Sequence, residues 1–331
     1  METNADMSLV KLANYRRVWN YVHSCVKVTV PQISKQTGLS LPTVTRAVEY
    51  SLEEGIMKSV GIVGGERGRK AQLYSLDADY MHFIFASIHG QKLHFQVHNF
   101  LSCVLKSGVL EVTDENIFSS LENVIETCIK SDSLIRFVGV AFSGTVYHGK
   151  IIESFDFPSL IGFELKKYLE EKFSIIAIVE NDLHCAVAAF SKYSSGYKDG
   201  ITVAYYFGNE GYGSGILIDG KLLHGACGSA GELYNVVVAN KVERSNFTYA
   251  EILRSLTSIL NPNRVILYPN GTADLNKVKS LAFHEMPTYQ MPALIENRSF
   301  TKDTFIGLVA LCKEKLIEPY AKVQVLKLEI K

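Results

Sequence analysis

Residues 30–55, VPQISKQTGLSLPTVTRAVEYSLEEG, decide how the first part of this chain is read. VPQISKQTG predicts a short helix, because Pro31 falls at a start position that needs no backbone N–H and Gly38 ends the run. Ser40 is placed to cap a second helix, LPTVTRAVEYSLEEG, by accepting one of its orphan N–H groups. On that helix Leu41, Val44, Val48 and Leu52 share one face at helical spacing, which predicts the core side. Thr43, Arg46 and Tyr50 face the other way, Thr45 sits at the border, and Gly55 stops the helix. Short polar residues with one Arg in the first two turns suit base edges in a major groove. IMKSVGIV and AQLYSL then read as two short strands joined by GGERGRK. Its Arg67, Arg69 and Lys70 are placed to meet DNA phosphates or a minor groove. Val30 to Tyr74 thus read as a winged helix-turn-helix. Any small three-helix unit with glycine at the turn gives part of this pattern, and the basic glycine-rich wing is what separates the two.

Charge agrees locally. The chain carries 34 Lys+Arg against 34 Asp+Glu, so it is not a general polyanion binder. Residues 1–76 hold 10 basic and 6 acidic side chains, and the remainder carries the matching acidic excess. A basic head on an acidic body suits a protein that touches DNA with one module. At 331 residues and 47% hydrophobic, the chain can bury more than one core. No apolar run reaches a membrane span, and Met1 to Leu9 is polar, so a cytoplasmic protein with no membrane partner is expected. Six cysteines (25, 103, 128, 185, 227 and 312) show no CxxC pair and no ligand spacing, which predicts reduced thiols and no metal.

From Met81 the text alternates strand and helix. MHFIFASIHG and KLHFQVHNF read as a hairpin turning near Gly90, and CVLKSGVLEV extends the sheet. FSSLENVIETCIK is a helix, IRFVGVAFSG a buried strand and LKKYLEEKF a helix. IIAIVEND is a strand that runs into LHCAVAAFSKY. ITVAYYFG and YGSGILIDGKLL restart a hairpin, and NRVILYPNG is a further buried strand. The restart predicts a second lobe resembling the first, with a cleft between them. In VENDLHCAVAAF, Glu180, Asn181 and Asp182 lie at a strand end that becomes a helix, where polar side chains open into a cleft. An ordinary helix cap by Asn181 or Asp182 is the alternative. In EGYGSGILIDGKLLHGACGSAGELYN, Gly211, Gly213 and Gly215 allow close backbone approach, and the stretch ends in Glu232.

These motifs, in this order, resemble the ROK family (repressors, open reading frames and sugar kinases) over nearly the whole chain. The resemblance rests on SLPTVTRAVEYSLEEGI, GGERGRKAQLYSL, VGVAFSGTV, SFDFPSLIGFEL, VENDLHCAVAA, GYGSGILIDGKLLHGACGSAGE and NPNRVIL, the block 211–232 being the most specific. It implies an α/β fold: an N-terminal winged helix-turn-helix over 1–76, then a two-lobed actin-like (ribonuclease H-like) ATPase fold. Lobes are expected over 80–192 and 193–331, the last helix packing back on the first lobe. The resemblance also implies a sugar site in which Asn181 and Asp182 bond vicinal hydroxyls, Glu232 reaches the anomeric end, and Asp156 stands where the family has a sugar-contacting Asn.

The chain departs from the kinases of the family. Their first hairpin carries Asp-x-Gly-Gly-Thr for magnesium and phosphate, whereas here the residues are Ser87, Ile88, His89, Gly90 and Gln91. The carboxylate is gone and His89 replaces an open glycine, so charge and backbone access are lost together. A family Gly-rich turn is replaced by Tyr268 to Gly271. The family's zinc-binding His falls at Asn235, and no cysteine lies between Cys227 and Cys312. No catalytic set, cofactor or zinc site is therefore expected. The expectation is a repressor-type regulator of carbohydrate-linked genes, acting on operator DNA as a homodimer or higher oligomer, with a sugar or sugar phosphate as effector. A sugar kinase and a ligand-blind DNA-binding protein are the alternatives.

Overall fold

The computed structural model describes residues 2–64, 70–191, 199–208, 211–233, 245–297 and 299–329. The chain divides into two compact units, one comprising 1–83, 98–105 and 313–331, the other 84–97 and 106–312.

The first unit begins with helix α1 (Glu2–His23), which the sequence reading did not place. Thr29 caps α2 (Val30–Thr37) through a reciprocal box: Thr29 Oγ1 accepts from Gln32 N at 3.4 Å, and Gln32 Oε1 accepts from Thr29 N at 2.8 Å. Gly38 closes the helix with φ 68. Ser40 Oγ accepts from Thr43 N at 3.3 Å and starts α3 (Leu41–Glu53). Strands β1 (Met57–Val63) and β2 (Ala71–Leu76) pair antiparallel beside these helices. Tyr15, Val18, Val22, Ile33, Val44, Ala47 and Val48 form the core.

Two assignments on α3 need correcting. Leu41 is 51% exposed rather than a core residue, because it stands at the first position of α3, ahead of Val44 where the buried face begins. Tyr50 does not face outward: it stacks on Tyr15 with centroids 5.3 Å apart, and Tyr15 belongs to the unforeseen α1. The buried face is Val44, Ala47, Val48 and Ser51, with Ser51 Oγ accepting from Trp19 Nε1 at 2.8 Å.

The second unit holds two sheets of the same design. The first contains β3 (His82–His89), β4 (Lys92–His98), β5 (Val104–Glu111), β6 (Ile135–Phe142) and β9 (Ile176–Asn181) in the order β5-β4-β3-β6-β9. A small hairpin, β7 (Thr145–Tyr147) and β8 (Lys150–Glu153), is inserted after β6. The second sheet contains β10 (Ile201–Gly208), β11 (Gly211–Ile218), β12 (Lys221–Leu222), β13 (Arg264–Asn270) and β14 (Ala293–Glu296) in the order β12-β11-β10-β13-β14. Both orders run third-second-first-fourth-fifth. The helices repeat too: α4 (Ile117–Ser131) and α5 (Leu165–Phe173) serve the first lobe, α7 (Asn246–Leu260) and α8 (Leu275–Ala282) the second. Alternation along β10 explains its two covered faces. Val203, Tyr205 and Phe207 pack with residues of α7 and α8, whereas Ala204 and Tyr206 pack with Ala186 and Val187.

Each lobe ends in a helix that crosses to the other sheet. α6 (Asp182–Ala188) follows the first sheet and lies on β11, where a Cβ on Gly215 would stand 2.3 Å from Leu183 O. α9 (Phe300–Glu329) follows the second sheet and sets Leu308 and Cys312 against Gly139 of β6. The two helices cross at Gly307, where a Cβ would lie 1.6 Å from the Cys185 carbonyl oxygen. Only glycine permits that approach.

Candidate functional site

On the first unit, Arg46 and Lys70 are exposed, while Thr43 and Thr45 are half-buried. Thr43 Oγ1 lies 2.8 Å from Ser40 Oγ, so its hydroxyl is engaged in the cap. Tyr50 is half-buried, and burial pushes its hydroxyl up to about 12. Arg67 and Arg69 lie outside the described residues. The candidate surface is therefore Thr43, Thr45 and Arg46 on α3, with Lys70 leading into β2.

In the second unit, the β9–α6 junction gathers the polar residues. Asn181 caps α6: its Oδ1 accepts from His184 N at 2.9 Å, and its Nδ2 donates to Gly144 O at 2.9 Å. The cap alternative for this residue is what the structure displays. Asp182 has only 4% of its side chain exposed, so it does not open into solvent. Its Oδ1 accepts from Leu183 N at 2.8 Å, and its Oδ2 lies 2.6 Å from Nδ1 of His89. The other ring nitrogen of His89 lies 3.0 Å from Tyr206 Oη, which also accepts from Asn270 Nδ2. Phe300 closes the back of this group, its ring 4.8 Å from that of His89. A chain Asp182–His89–Tyr206–Asn270 thus joins the two lobes. Only Asp182 and the phosphate-loop position of His89 were singled out from sequence, because Tyr206 stands 117 residues from His89 and 64 from Asn270 and leaves no local pattern.

Glu232 is held on the same side by Thr145, whose Oγ1 donates to Oε1 at 3.0 Å. Burial pushes the Glu232 carboxyl above its usual range, the Asp182 charge adding to this against the Thr145 hydrogen bond. Asp156 is exposed and accepts from Ser143 Oγ at 3.3 Å. All four candidate sugar contacts already have protein partners. Asn235 and the surrounding 234–244 lie outside the described residues.

A cluster that sequence reasoning missed sits beside them. Glu180 Oε1 is 2.9 Å from His184 Nδ1, and Oε2 is 2.9 Å from His224 Nε2. Burial alone would push Glu180 up, but the hydrogen bonds from His184 and His224 outweigh it and hold the carboxyl at about 2. Glu180 and His184 are four apart, yet across a strand–helix boundary, and His224 is 44 residues from Glu180, so no ligand-spacing motif marks them.

Comparison with known proteins follows the same division. Residues 88–240 match the profile of the ROK family. The xylose repressor of Bacillus spizizenii is 22% identical over 246 residues, covering 71% of this chain and 62% of that protein. The chain therefore spans less than two thirds of that relative's length. The crystal structure of a ROK family transcriptional regulator, a homolog of the E. coli MLC protein, superposes with a TM-score of 0.68 at 15% identity, over 96% of this chain and 99% of that one. A ROK family glucokinase from Streptomyces griseus, solved with glucose and AMPPNP, gives 0.55 at 15% identity, over 70% and 98%. The fold of the body is thus the actin-like α/β fold that ROK regulators and kinases have in common. Among the described residues no helix is long and apolar enough to cross a membrane. With its duplicated lobes and its polar β9–α6 junction, the chain carries a ROK family domain over residues 88–240.

Proposed function

We propose that this chain is a cytoplasmic DNA-binding transcriptional regulator, a repressor of carbohydrate-linked genes, and not a sugar kinase. Residues 1–76 are the winged helix-turn-helix of this reading. Thr43, Thr45 and Arg46 face base edges, and Lys70 with Arg67 and Arg69 meets phosphates. One such head buries too little surface for specific affinity, so the working form is a homodimer on a pseudo-palindromic operator.

The observation that carries the choice against a kinase is the imidazole of His89 on Asp182 at 2.6 Å. A carboxylate that takes a proton from an attacking hydroxyl must be able to reach it. Here that carboxylate is engaged by the residue standing at the phosphate-loop turn. The relatives named xylose repressor support the same side. The kinases of the same fold do not weigh against it, because fold does not fix function.

Asn181, Asp182, Glu232 and Asp156 are the sugar contacts of this reading. A sugar hydroxyl replaces His89 as the partner of Asp182, and the exchange alters how the lobes close. The alternative, a ligand-blind DNA-binding protein, is favoured by the protein partners that all four residues already have. Selection from random duplexes should return a pseudo-palindromic site. A sugar and sugar-phosphate panel in a thermal-shift assay should give one stabilising ligand, lost in Asp182→Ala. An empty panel selects the ligand-blind reading. Robust Mg-ATP phosphorylation of a hexose that disappears in Asp182→Asn overturns the regulator.

A further inference from the structure

We propose that Glu180, His184 and His224 bind one divalent transition-metal ion of the zinc type, which pins the loop following β12 to the start of α6. The three donor atoms lie within 4.8 Å of one another. They come from three places: the end of β9, the first turn of α6, and the loop that leads to Glu232.

The arrangement suits a cation. Both oxygens of Glu180 face imidazole nitrogens, Oε1 that of His184 Nδ1 and Oε2 that of His224 Nε2, each at 2.9 Å. The outer nitrogen of His184 faces a backbone oxygen, Ala230 O, at 3.5 Å. Two imidazoles and a carboxylate that converge in this way are a ligand set for a divalent metal. A metal ion between the three side chains takes one lone pair from each. His184 then gives its Nδ1 lone pair to the metal and keeps its proton on Nε2 for the Ala230 carbonyl. A backbone carbonyl on the outer nitrogen is how metal-bound histidines are oriented.

Two imidazoles and one carboxylate select zinc-type ions over magnesium or calcium, which prefer oxygen. Side-chain exposure sets the direction of entry: His184 is 2% exposed, Glu180 17% and His224 42%. The solvent-facing side is that of His224, where water or a ligand hydroxyl takes the remaining position. Cys227 lies in the same loop, but its Sγ is 3.3 Å from Ser229 Oγ and it is exposed.

The test is titration of the chelator-treated full chain with zinc chloride by calorimetry, with cobalt(II) as a spectroscopic probe. One equivalent should bind, and cobalt should give a visible d–d spectrum without a thiolate charge-transfer band. His224→Ala should weaken binding by more than about 100-fold, beyond the cost of losing an outer-shell partner. Its metal-free form should still melt in one cooperative step, because His224 is the exposed ligand and the chain folds without it. Cys227→Ser should bind as wild type does. Absence of zinc binding, binding that survives His224→Ala, or binding lost in Cys227→Ser overturns the assignment.

Discussion

Replacing His89 with alanine tests the interlobe bridge directly. The substitution removes the partner of Asp182, whose side chain is only 4% exposed, so water cannot replace the imidazole freely. Breaking a buried pair by deleting one member costs about 3–5 kcal/mol. His89 is itself 21% exposed, and water entering beside it reduces the figure to about 2–3 kcal/mol. The Tyr206 hydroxyl keeps the Asn270 amide and adds little. Urea unfolding should therefore show a lower midpoint with an unchanged slope. Adding Asp182→Asn to His89→Ala should recover most of the loss, since an uncharged amide needs no counter-ion. The double-mutant cycle should return a coupling of about 2 kcal/mol. A loss of under about 0.5 kcal/mol in His89→Ala, the level of an ordinary surface change, would refute the bridge. Strict additivity of the two substitutions would do the same.

Arg46→Ala should raise the dissociation constant for a selected duplex by about 5- to 150-fold, corresponding to about 1–3 kcal/mol, and relax one base position, as read by fluorescence anisotropy. Unchanged specificity would remove α3 from the groove. Gly307→Ala places a methyl 1.6 Å from the Cys185 carbonyl and should destabilise the protein by about 3 kcal/mol in urea, because backbone rather than a flexible side chain must move. Burial holds His98 down at about 4 against an ordinary 6.5, with Lys313 adding to this against a backbone hydrogen bond at Ser102. The folded state thus refuses a proton that the unfolded chain accepts. Stability is complete above pH 6.5 and is lost as pH falls towards 4, and His98→Gln should flatten that part of the urea-midpoint profile. An unchanged profile would show that another group sets the acid limb.

Local signals were the ones legible in sequence. Pro31, Gly38 and Ser40 act through neighbours within a few residues, so the boundaries of α2 and the start of α3 could be read from composition and spacing, whereas the Thr29 cap emerged only in the structure. The two lobes were legible because their strands repeat as hairpin, strand, strand, each run apolar or alternating. Tyr50 was misplaced because its partner Tyr15 lies on a helix with no strong apolar stripe. The candidate site was legible as residues but not as contacts. Asp182, Asn181 and Glu232 stand in recognisable motifs, whereas Thr145, Tyr206, Asn270 and His224 are brought to them only by the crossing of two lobes. The hydrogen bonds that tie Glu180 to His184 and His224 belong to that second kind.

The bare crossing of α6 and α9 limits how the body can move. At Gly307 and Cys185 backbone meets backbone, with no side chain to act as a compressible cushion. Pushing the helices together is resisted steeply, because both partners are backbone. Residue 307 thus acts as a spacer gauge, setting how closely the closing helix of one lobe can lie on that of the other, and any larger side chain there would thicken the seam between them.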